Sequence, residues 1–172
     1  VLGGTSAGCA VLGQFIFSAE NGSVYSDEAL TDPYNPYMTL EQDFLALAPL
    51  QGVITDTHFG ARDRMGRLLG FLARILQDGW ATRALGLGVD EGTALVVDPA
   101  GLGTVLGSGS VYLLVADTPP SQCQSGLPLA YSGPTLHRLS AGDTVTLPSG
   151  ATSVTGTPLS ASGGALSPAD PY

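Results

Sequence analysis

The fold class follows from two adjacent segments, GVITD at residues 52–56 and ARDRMGRLLGFLARILQ at residues 61–77. The first segment is a short run rich in β-branched residues, which predicts a buried strand that ends in polar side chains. In the second segment apolar side chains recur at the spacing of one helix face, and Asp78-Gly79 supplies a helix stop. A strand followed directly by an amphipathic helix is the building unit of an α/β protein.

The segments on either side extend this pattern. Upstream, Val1-Leu2-Gly3 is interpreted as the end of a strand, and residues 7–18 as a small, apolar helix that is buried on most sides. Downstream lie short strand candidates separated by turn residues, at 83–88, 94–98, 103–106 and 111–115, and a last strand pair over 136–147. We therefore predict an α/β fold with a largely parallel sheet.

The composition divides the chain into a domain and a tail. Residues 1–147 carry the strand and helix patterns and are assigned to one domain. From Pro148 onward Gly, Ala, Ser, Thr and Pro dominate, with one aromatic residue at Tyr172. Such a segment has little apolar surface with which to order itself, so we predict a flexible, low-complexity tail over residues 148–172.

Charge and hydropathy exclude several classes of function. The 172 residues carry a formal net charge of -9, which would be repelled by the phosphates of a nucleic acid. No apolar run approaches the roughly 20 residues of a membrane span. Neither nucleic acid nor a membrane is therefore an expected partner. All six cationic side chains are arginines, and three of them, Arg62, Arg64 and Arg67, lie close together at the start of a predicted helix.

The positive charge of the arginine cluster is unfavourable at the N-terminus of a helix. The N-terminus of a helix carries partial positive charge, so cations there gain nothing from the helix dipole. A carboxylate partner explains the cluster better than helix stability does. The alternative is a set of solvated surface arginines that is aided by Asp63.

The segment Gly4-Thr5-Ser6-Ala7-Gly8 matches the pattern G-x-S-x-G of a nucleophile elbow. In such a turn the serine backbone is strained between a strand and a helix, and the hydroxyl stands clear of the chain. We expect both glycines to be needed, because a Cβ at either position would collide with neighbouring backbone. The alternative is a plain glycine-rich turn.

A serine nucleophile needs a base and an acid that orients the base. The chain has two histidines, His58 and His137. His58 follows the end of a predicted strand, where α/β proteins place their sites, whereas His137 lies in a late strand pair. Two carboxylates are candidates for the orienting acid: Glu28, after the predicted first helix, and Glu91, after a predicted strand end. Either could instead be a solvated loop residue.

The two cysteines, Cys9 and Cys123, lie far apart and lack the C-x-x-C spacing of a zinc site. No other cluster of ligand-type residues indicates a metal. We therefore predict no metal and no cofactor.

Three segments, GGTSAG at 3–8, DTHFGARDRMGRLL at 56–69 and GLGVDEGTALVV at 86–97, together resemble the peptidase S51 family and, within it, the cyanophycinases. The resemblance extends over about residues 1–146. It implies a class I glutamine-amidotransferase-like, flavodoxin-like α/β fold. It also implies a serine peptidase that acts on aspartyl bonds; cyanophycinases release β-Asp-Arg dipeptides from cyanophycin, a polyaspartate that carries arginine on its side chains.

The resemblance also implies roles for individual residues. Ser6 would be the nucleophile, His58 the general base, and the backbone N–H of Ala7 an oxyanion donor. The family pattern leaves both Glu28 and Glu91 open as the orienting acid.

A substrate pocket is implied as well. An arginine cluster suits a substrate with carboxylates, and an acidic group suits the arginine of the substrate. The implied pocket residues are Asp56, Thr57, Arg62, Arg64 and Arg67. Thr57 stands where cyanophycinases usually carry glutamine, which puts the substrate in question.

Three alternatives to a cyanophycinase-like activity are kept. An α-aspartyl dipeptidase of the same family would share the elbow but recognise a free N-terminal aspartate. A non-catalytic relative would bind an acidic peptide or a partner protein without using Ser6. An unrelated α/β-hydrolase esterase would have to use His137 as its base and would leave the arginine cluster without a role.

The resemblance further implies that the chain is the C-terminal portion of a longer parent. The first βα units of the family fold, and with them the second oxyanion donor, would lie upstream. We therefore expect residues 1–172 alone to be inactive and poorly behaved, and we expect the full-length parent to be a homodimer.

Overall fold

The computed structural model describes residues 2–172, which form three α-helices and eleven strands. The helices are α1 (Ala7–Ala10), α2 (Ser26–Thr31) and α3 (Met65–Gln77). The strands are β1 (Phe15–Phe17), β2 (Leu40–Gln42), β3 (Val53–Thr57), β4 (Ala84–Val89), β5 (Thr93–Val97), β6 (Leu102–Gly107), β7 (Val111–Ala116), β8 (Tyr131–Leu139), β9 (Thr144–Thr146), β10 (Thr157–Ser162) and β11 (Ala165–Ser167). Val1, part of the predicted first strand end, lies outside the described residues, and Leu2 and Gly3 are not in a strand.

The central sheet is mixed, which confirms an α/β fold but not the prediction of a largely parallel sheet. Its eight strands lie in the order β11-β10-β8-β7-β4-β3-β1-β2. Only β1, β3 and β4 pair in parallel; all other neighbours in this sheet are antiparallel. A parallel pair needs a long crossover, which is usually a helix, and no helix follows α3 within the described residues.

A second sheet of three strands, in the order β5-β6-β9, covers one face of the central sheet. The strand pair predicted over 136–147 is divided between the two sheets, because β8 pairs with β7 whereas β9 pairs with β6. Between the sheets lies an apolar cluster that includes Val53, Leu85 and Val105. Within residues 2–172, every helix is too short or too polar to span a lipid bilayer.

The other face of the central sheet is covered by α3. The helix begins at Met65 rather than at residue 61, because residues 60–62 form a separate 3-10 turn that ends at Asp63 in a left-handed conformation, with φ of 47°. Leu68 packs against the backbone of β4, since a Cβ added at Gly86 would lie 3.0 Å from its side chain. This contact packs the first turn of α3 against the middle of β4.

The helix predicted over residues 7–18 is wrong beyond its first turn. Helix α1 ends at Ala10, and β1 occupies Phe15–Phe17. A Cβ added at Gly13 would lie 2.4 Å from the backbone oxygen of Val53, so the chain passes directly against β3 at this point. Close approach to a neighbouring strand is open only to glycine, and it diverts the chain from the helix into the sheet.

The structure differs from the flexible tail predicted for residues 148–172. Strand β10 pairs with β8, and β11 pairs with β10, so backbone hydrogen bonds order a segment that is poor in apolar side chains. Leu159 and Ala161 nevertheless contribute buried side chains to the core. The pairing partner was not apparent in the sequence because it is supplied by a strand far upstream.

The same segment ends on the loop that precedes α3. The hydroxyl of Tyr172 accepts the Met65 N–H at 2.8 Å and donates to Asp63 Oδ1 at 2.8 Å. Its ring packs edge-on against Phe59 and Tyr112. Burial raises the pKa of Tyr172 above its ordinary value, so the hydroxyl remains a donor near neutral pH.

We predict that Tyr172→Phe lowers the free energy of unfolding by about 1–2 kcal/mol, because two hydrogen bonds to the start of α3 are lost while the ring packing is kept. Urea denaturation of the two proteins measures the difference. Tyr37→Phe, at a side chain that is 44% exposed, is the control and should change stability by less than about 0.5 kcal/mol. Equal stability of wild type and Tyr172→Phe would contradict the anchoring role.

Candidate active site

Ser6 lies at the predicted strained turn. Its backbone angles are φ 51° and ψ -125°, and it directly precedes α1. A positive φ is uncommon for a residue with a side chain and persists where the surroundings enforce it. The Ser6 residue is exposed, so its hydroxyl is open to solvent.

Of the two motif glycines, only Gly4 lies where there is no room for a side chain. A Cβ added at Gly4 would lie 2.1 Å from the backbone oxygen of Gly8, so the turn closes tightly over Gly4. A Cβ added at Gly8 would meet nothing within 4 Å. The expectation that both positions exclude a side chain is therefore confirmed for Gly4 and wrong for Gly8.

Helix α1 is tied to the strand that carries the histidine. The Thr55 hydroxyl, on β3, donates to the backbone oxygen of Cys9 at 2.7 Å. His58 follows the last residue of β3 and has φ of 48°, so its backbone also turns sharply at the sheet edge. These two turns bring Ser6 and His58 to the same edge of the sheet.

Ser6, His58 and Glu91 form one hydrogen-bonded chain. His58 Nε2 lies 3.2 Å from Ser6 Oγ, and His58 Nδ1 lies 2.6 Å from Glu91 Oε1. An ionised carboxylate can only accept, so Nδ1 carries the proton and Nε2 accepts the serine O–H. This is the tautomer and the order of contacts that a serine nucleophile requires.

Glu91 reaches His58 because of strand register. Strands β3 and β4 are parallel neighbours, with Thr57 paired with Val89. Both chains leave the sheet at the same edge, so the residues just after each strand meet there. Glu91 remains 59% exposed at its side chain, whereas the His58 side chain is 25% exposed.

Glu28, the other candidate for the orienting acid, is engaged elsewhere. Its carboxylate accepts the backbone N–H of Tyr25 at 2.9 Å and so caps the start of its own helix, α2. A capping acid in the first turn stabilises the helix and also complements its dipole. The structure thus brings Glu91, and not Glu28, to His58.

The arginine cluster has a carboxylate partner in the protein itself, the side chain of Asp56. Asp56 is 2% exposed, and its two oxygens accept Arg67 Nε at 2.7 Å and Arg67 Nη2 at 2.6 Å. Arg64 Nη1 lies 3.2 Å from Asp56 as well. Asp56 and Arg67, both predicted members of the substrate pocket, are thus buried against each other, and their role in substrate binding stays a prediction.

The remaining predicted pocket residues have different environments. Thr57 is buried, with 7% exposure, and its backbone oxygen accepts Arg64 Nη1 at 2.7 Å. Arg62 is exposed and lines an open groove of about 380 Å³. The other lining residues of this groove are Tyr25, Ser26, Asp27, Glu28 and Asp63. Of the three clustered arginines, Arg62 is the exposed one.

Ala7 is the first residue of α1, and the first N–H groups of a helix have no acceptor within it. The Ala7 N–H therefore follows the serine at the position from which an oxyanion donor acts. His137 is engaged elsewhere: its Nδ1–H donates to the backbone oxygen of Val154 at 2.8 Å.

Cys9 lies one turn after Ser6 but is a poor competing nucleophile. Burial and the nearby Asp56 carboxylate raise the pKa of its thiol. A protonated thiol is weakly nucleophilic. Within residues 2–172 no three His, Cys, Asp or Glu side chains gather into a group that could hold a metal ion.

One side chain beside the site was missed by the sequence reasoning. Asp90 precedes Glu91, and its carboxylate accepts the backbone N–H groups of Gly60 and Ser110. Its sequence signal was its place at a strand end directly before a candidate acid. The contacts it makes come from two other loops and could not be identified from spacing.

Comparison with known proteins gives one consistent result. No protein-family model matches the chain. The chain is similar to the cyanophycinase of Synechococcus elongatus, with 31% identity over 147 residues, covering 83% of this chain and 41% of that protein. The cyanophycinases of Trichormus variabilis and Geminocystis herdmanii are each 32% identical over 146 residues, covering 83% of this chain and 44% and 48% of those proteins. The chain thus spans less than half of the length of these relatives.

We predict that Asp56→Ala lowers the free energy of unfolding by about 3–5 kcal/mol, because it leaves the buried Arg67 guanidinium without its counterion. Chemical denaturation measures the loss, and Asp117→Ala, at an exposed acid, is the control. If Asp56→Ala unfolded like the wild type but had a raised KM, Asp56 would instead be assigned to substrate binding.

Proposed function

We propose that this chain, as a member of a cyanophycinase-like peptidase family, carries the catalytic residues of a serine-type hydrolase. The proposed hydrolase cleaves aspartyl peptide bonds, and the relationship to the cyanophycinases is the starting point for this proposal. The observation that carries the proposal is the hydrogen-bonded chain from Ser6 through His58 to Glu91. Each of the three side chains comes from a different turn at one edge of the sheet. We also propose that the α/β fold is a class I glutamine-amidotransferase-like domain.

In the proposed reaction Ser6 Oγ attacks the scissile carbonyl carbon while its proton passes to His58 Nε2. Glu91, bound to Nδ1–H, stabilises the resulting imidazolium and holds the ring in place. His58 then protonates the leaving amine, which gives an acyl-enzyme. A water molecule, deprotonated by His58, releases the acyl group and restores the serine.

The Ala7 N–H is the proposed donor to the oxyanion that forms in both steps. It lies at the start of a short helix, next to the nucleophile, where backbone N–H groups face developing negative charge. Such a donor acts without rearrangement because the strained Ser6 turn already fixes its direction.

The proposed substrate is a cyanophycin-like aspartyl peptide. The names of the relatives support it, as does the exposed guanidinium of Arg62 in the 380 Å³ groove, which suits a carboxylate. Asp27 and Asp63 in the same groove suit the arginine of such a substrate. Arg64, Arg67 and Asp56 support the pocket from within by their ion pairs and do not take part in the proposed binding.

We expect Ser6→Ala to abolish both hydrolysis and covalent labelling by a fluorophosphonate, since it removes the nucleophile. The assay uses the full-length protein and compares release of β-Asp-Arg from cyanophycin with cleavage of an Asp-Xaa dipeptide. Cys9→Ala is the matched control and should keep both activities. Labelling of the Ser6→Ala variant would rule out the proposed nucleophile, and a preference for the dipeptide would favour an α-aspartyl dipeptidase.

Glu91→Gln should lower kcat by roughly 10³–10⁴-fold, because the neutral amide no longer stabilises the imidazolium or selects its tautomer. Glu28→Gln removes a carboxylate from the helix cap beside the proposed groove, so any change should appear in KM while kcat stays within about twofold. Glu41→Gln, at an exposed acid outside the groove, is the control and should change neither constant. Steady-state kinetics of the three variants compare the roles directly. The reverse ranking would assign the orienting acid to Glu28.

A further inference from the structure

The contact between His58 and Glu91 joins two loops at the rim of the sheet. The parallel ladder between β3 and β4 ends at the pair Thr57 and Val89, one residue before His58 and two before Glu91. With its side chain 59% exposed, Glu91 gains little positional restraint from packing. Something other than the ladder must hold the two loops at the 2.6 Å separation between Nδ1 and Oε1.

Asp90 makes the contacts that meet this need. Its Oδ1 accepts the Gly60 N–H at 2.8 Å, from the loop that carries His58, and its Oδ2 accepts the Ser110 N–H at 3.0 Å. Its own N–H donates to the backbone oxygen of Ser110 at 3.1 Å. One carboxylate therefore joins the loop after β3, the turn after β4 and the turn before β7.

The neighbouring backbone is shaped to receive this carboxylate. A Cβ added at Gly109 would lie 2.7 Å from the Cβ of Asp90, and a Cβ added at Gly60 would lie 3.2 Å from its Oδ1. The absence of side chains at both positions lets the two loops close around the acid. Thr93 adds a further link, because its hydroxyl accepts the Gly109 N–H at 2.9 Å and donates to the backbone oxygen of Glu91 at 3.2 Å.

Both oxygens of the Asp90 carboxylate act as acceptors. Each accepts one N–H, and a carboxylate has no donor of its own. An asparagine of the same shape would turn its NH₂ group toward one of the two N–H donors and lose that hydrogen bond. The same carboxylate lines an adjoining cavity of about 330 Å³, and its two hydrogen bonds to backbone N–H groups fix its position there.

We propose that Asp90 is a positioning residue that sets the geometry between His58 and Glu91 by clamping the loops that carry them. This inference rests on the proposed function. Asp90 does not touch the reacting atoms; it acts through Gly60, two residues after His58, and through its covalent neighbour Glu91.

The test compares Asp90→Asn with Asp98→Asn in the full-length protein. Asp98 also accepts two backbone N–H groups, from Ala100 and Leu102, but both bind one oxygen, so asparagine can keep them. Rates are expressed per active site titrated with a fluorophosphonate, which removes any loss due to unfolded protein. We expect kcat of Asp90→Asn to fall about 10- to 100-fold with KM within about twofold, and Asp98→Asn to match the wild type.

A spectroscopic readout separates positioning from simple stability. The proton on His58 Nδ1 gives a downfield NMR signal while it is hydrogen-bonded to Glu91, and we expect Asp90→Asn to shift or broaden it. Gly60→Ala, which pushes a methyl group toward Asp90 Oδ1, should lower kcat in the same way, and the double variant should show less than the sum of the two effects. Should Asp90→Asn fail to fold, Gly60→Ala tests the same contact alone.

The outcomes distinguish this inference from the proposed function. An unchanged kcat per titrated site and an unchanged His58 signal in Asp90→Asn, with Ser6→Ala inactive, would overturn only the role of Asp90. Full activity of Ser6→Ala would overturn the proposed function itself. A loss of kcat in Asp98→Asn equal to that in Asp90→Asn would also overturn the inference, since it would indicate a general effect of removing one charge.

Discussion

The parallel pairing of β3 and β4 is the constraint on which the candidate site depends. With Thr57 opposite Val89, both strands reach the same edge together, so the residues that follow them leave the sheet side by side. The bond from Thr55 to the Cys9 backbone ties α1 to the same strand and brings Ser6 to that edge. A shift of one residue in this register would turn every side chain to the opposite face and separate the three groups.

The buried ion pair between Asp56 and Arg67 stabilises the C-terminal end of β3, directly before His58. Taking both charges out of water is costly, and the fork of two short N–H···O bonds offsets the cost. The guanidinium of Arg67 also lies 5.1 Å from the ring centre of Phe17 and 5.8 Å from that of Phe71. The pair thus joins the C-terminal end of β3 to α3 and β1, and Arg62 is the exposed member of the arginine cluster.

Local patterns predicted the parts of this structure that depend on neighbouring residues. The buried strand at 53–57, the helix face of α3 and the strained turn at Ser6 follow from β-branched runs, apolar periodicity and glycine spacing. Prediction was wrong where a distant segment intervened. Residues 15–17 pair with β3, and residues 157–162 pair with β8. Nothing in the sequence of residues 15–17 or 157–162 indicates the strand with which it pairs. The roles of Glu28 and Glu91 stayed open for the same reason.

The order of residues along the chain was enough to identify the chemical parts of the site: a serine in a glycine-bounded turn, a histidine after a strand, and nearby acids and arginines. Those features are local, because they depend on backbone strain and on the order of residues along the chain. Which acid contacts the histidine, and which arginines form ion pairs with Asp56, became known only from the folded arrangement. Such choices depend on strand register and on close approach between loops far apart in sequence, which no spacing along the chain encodes.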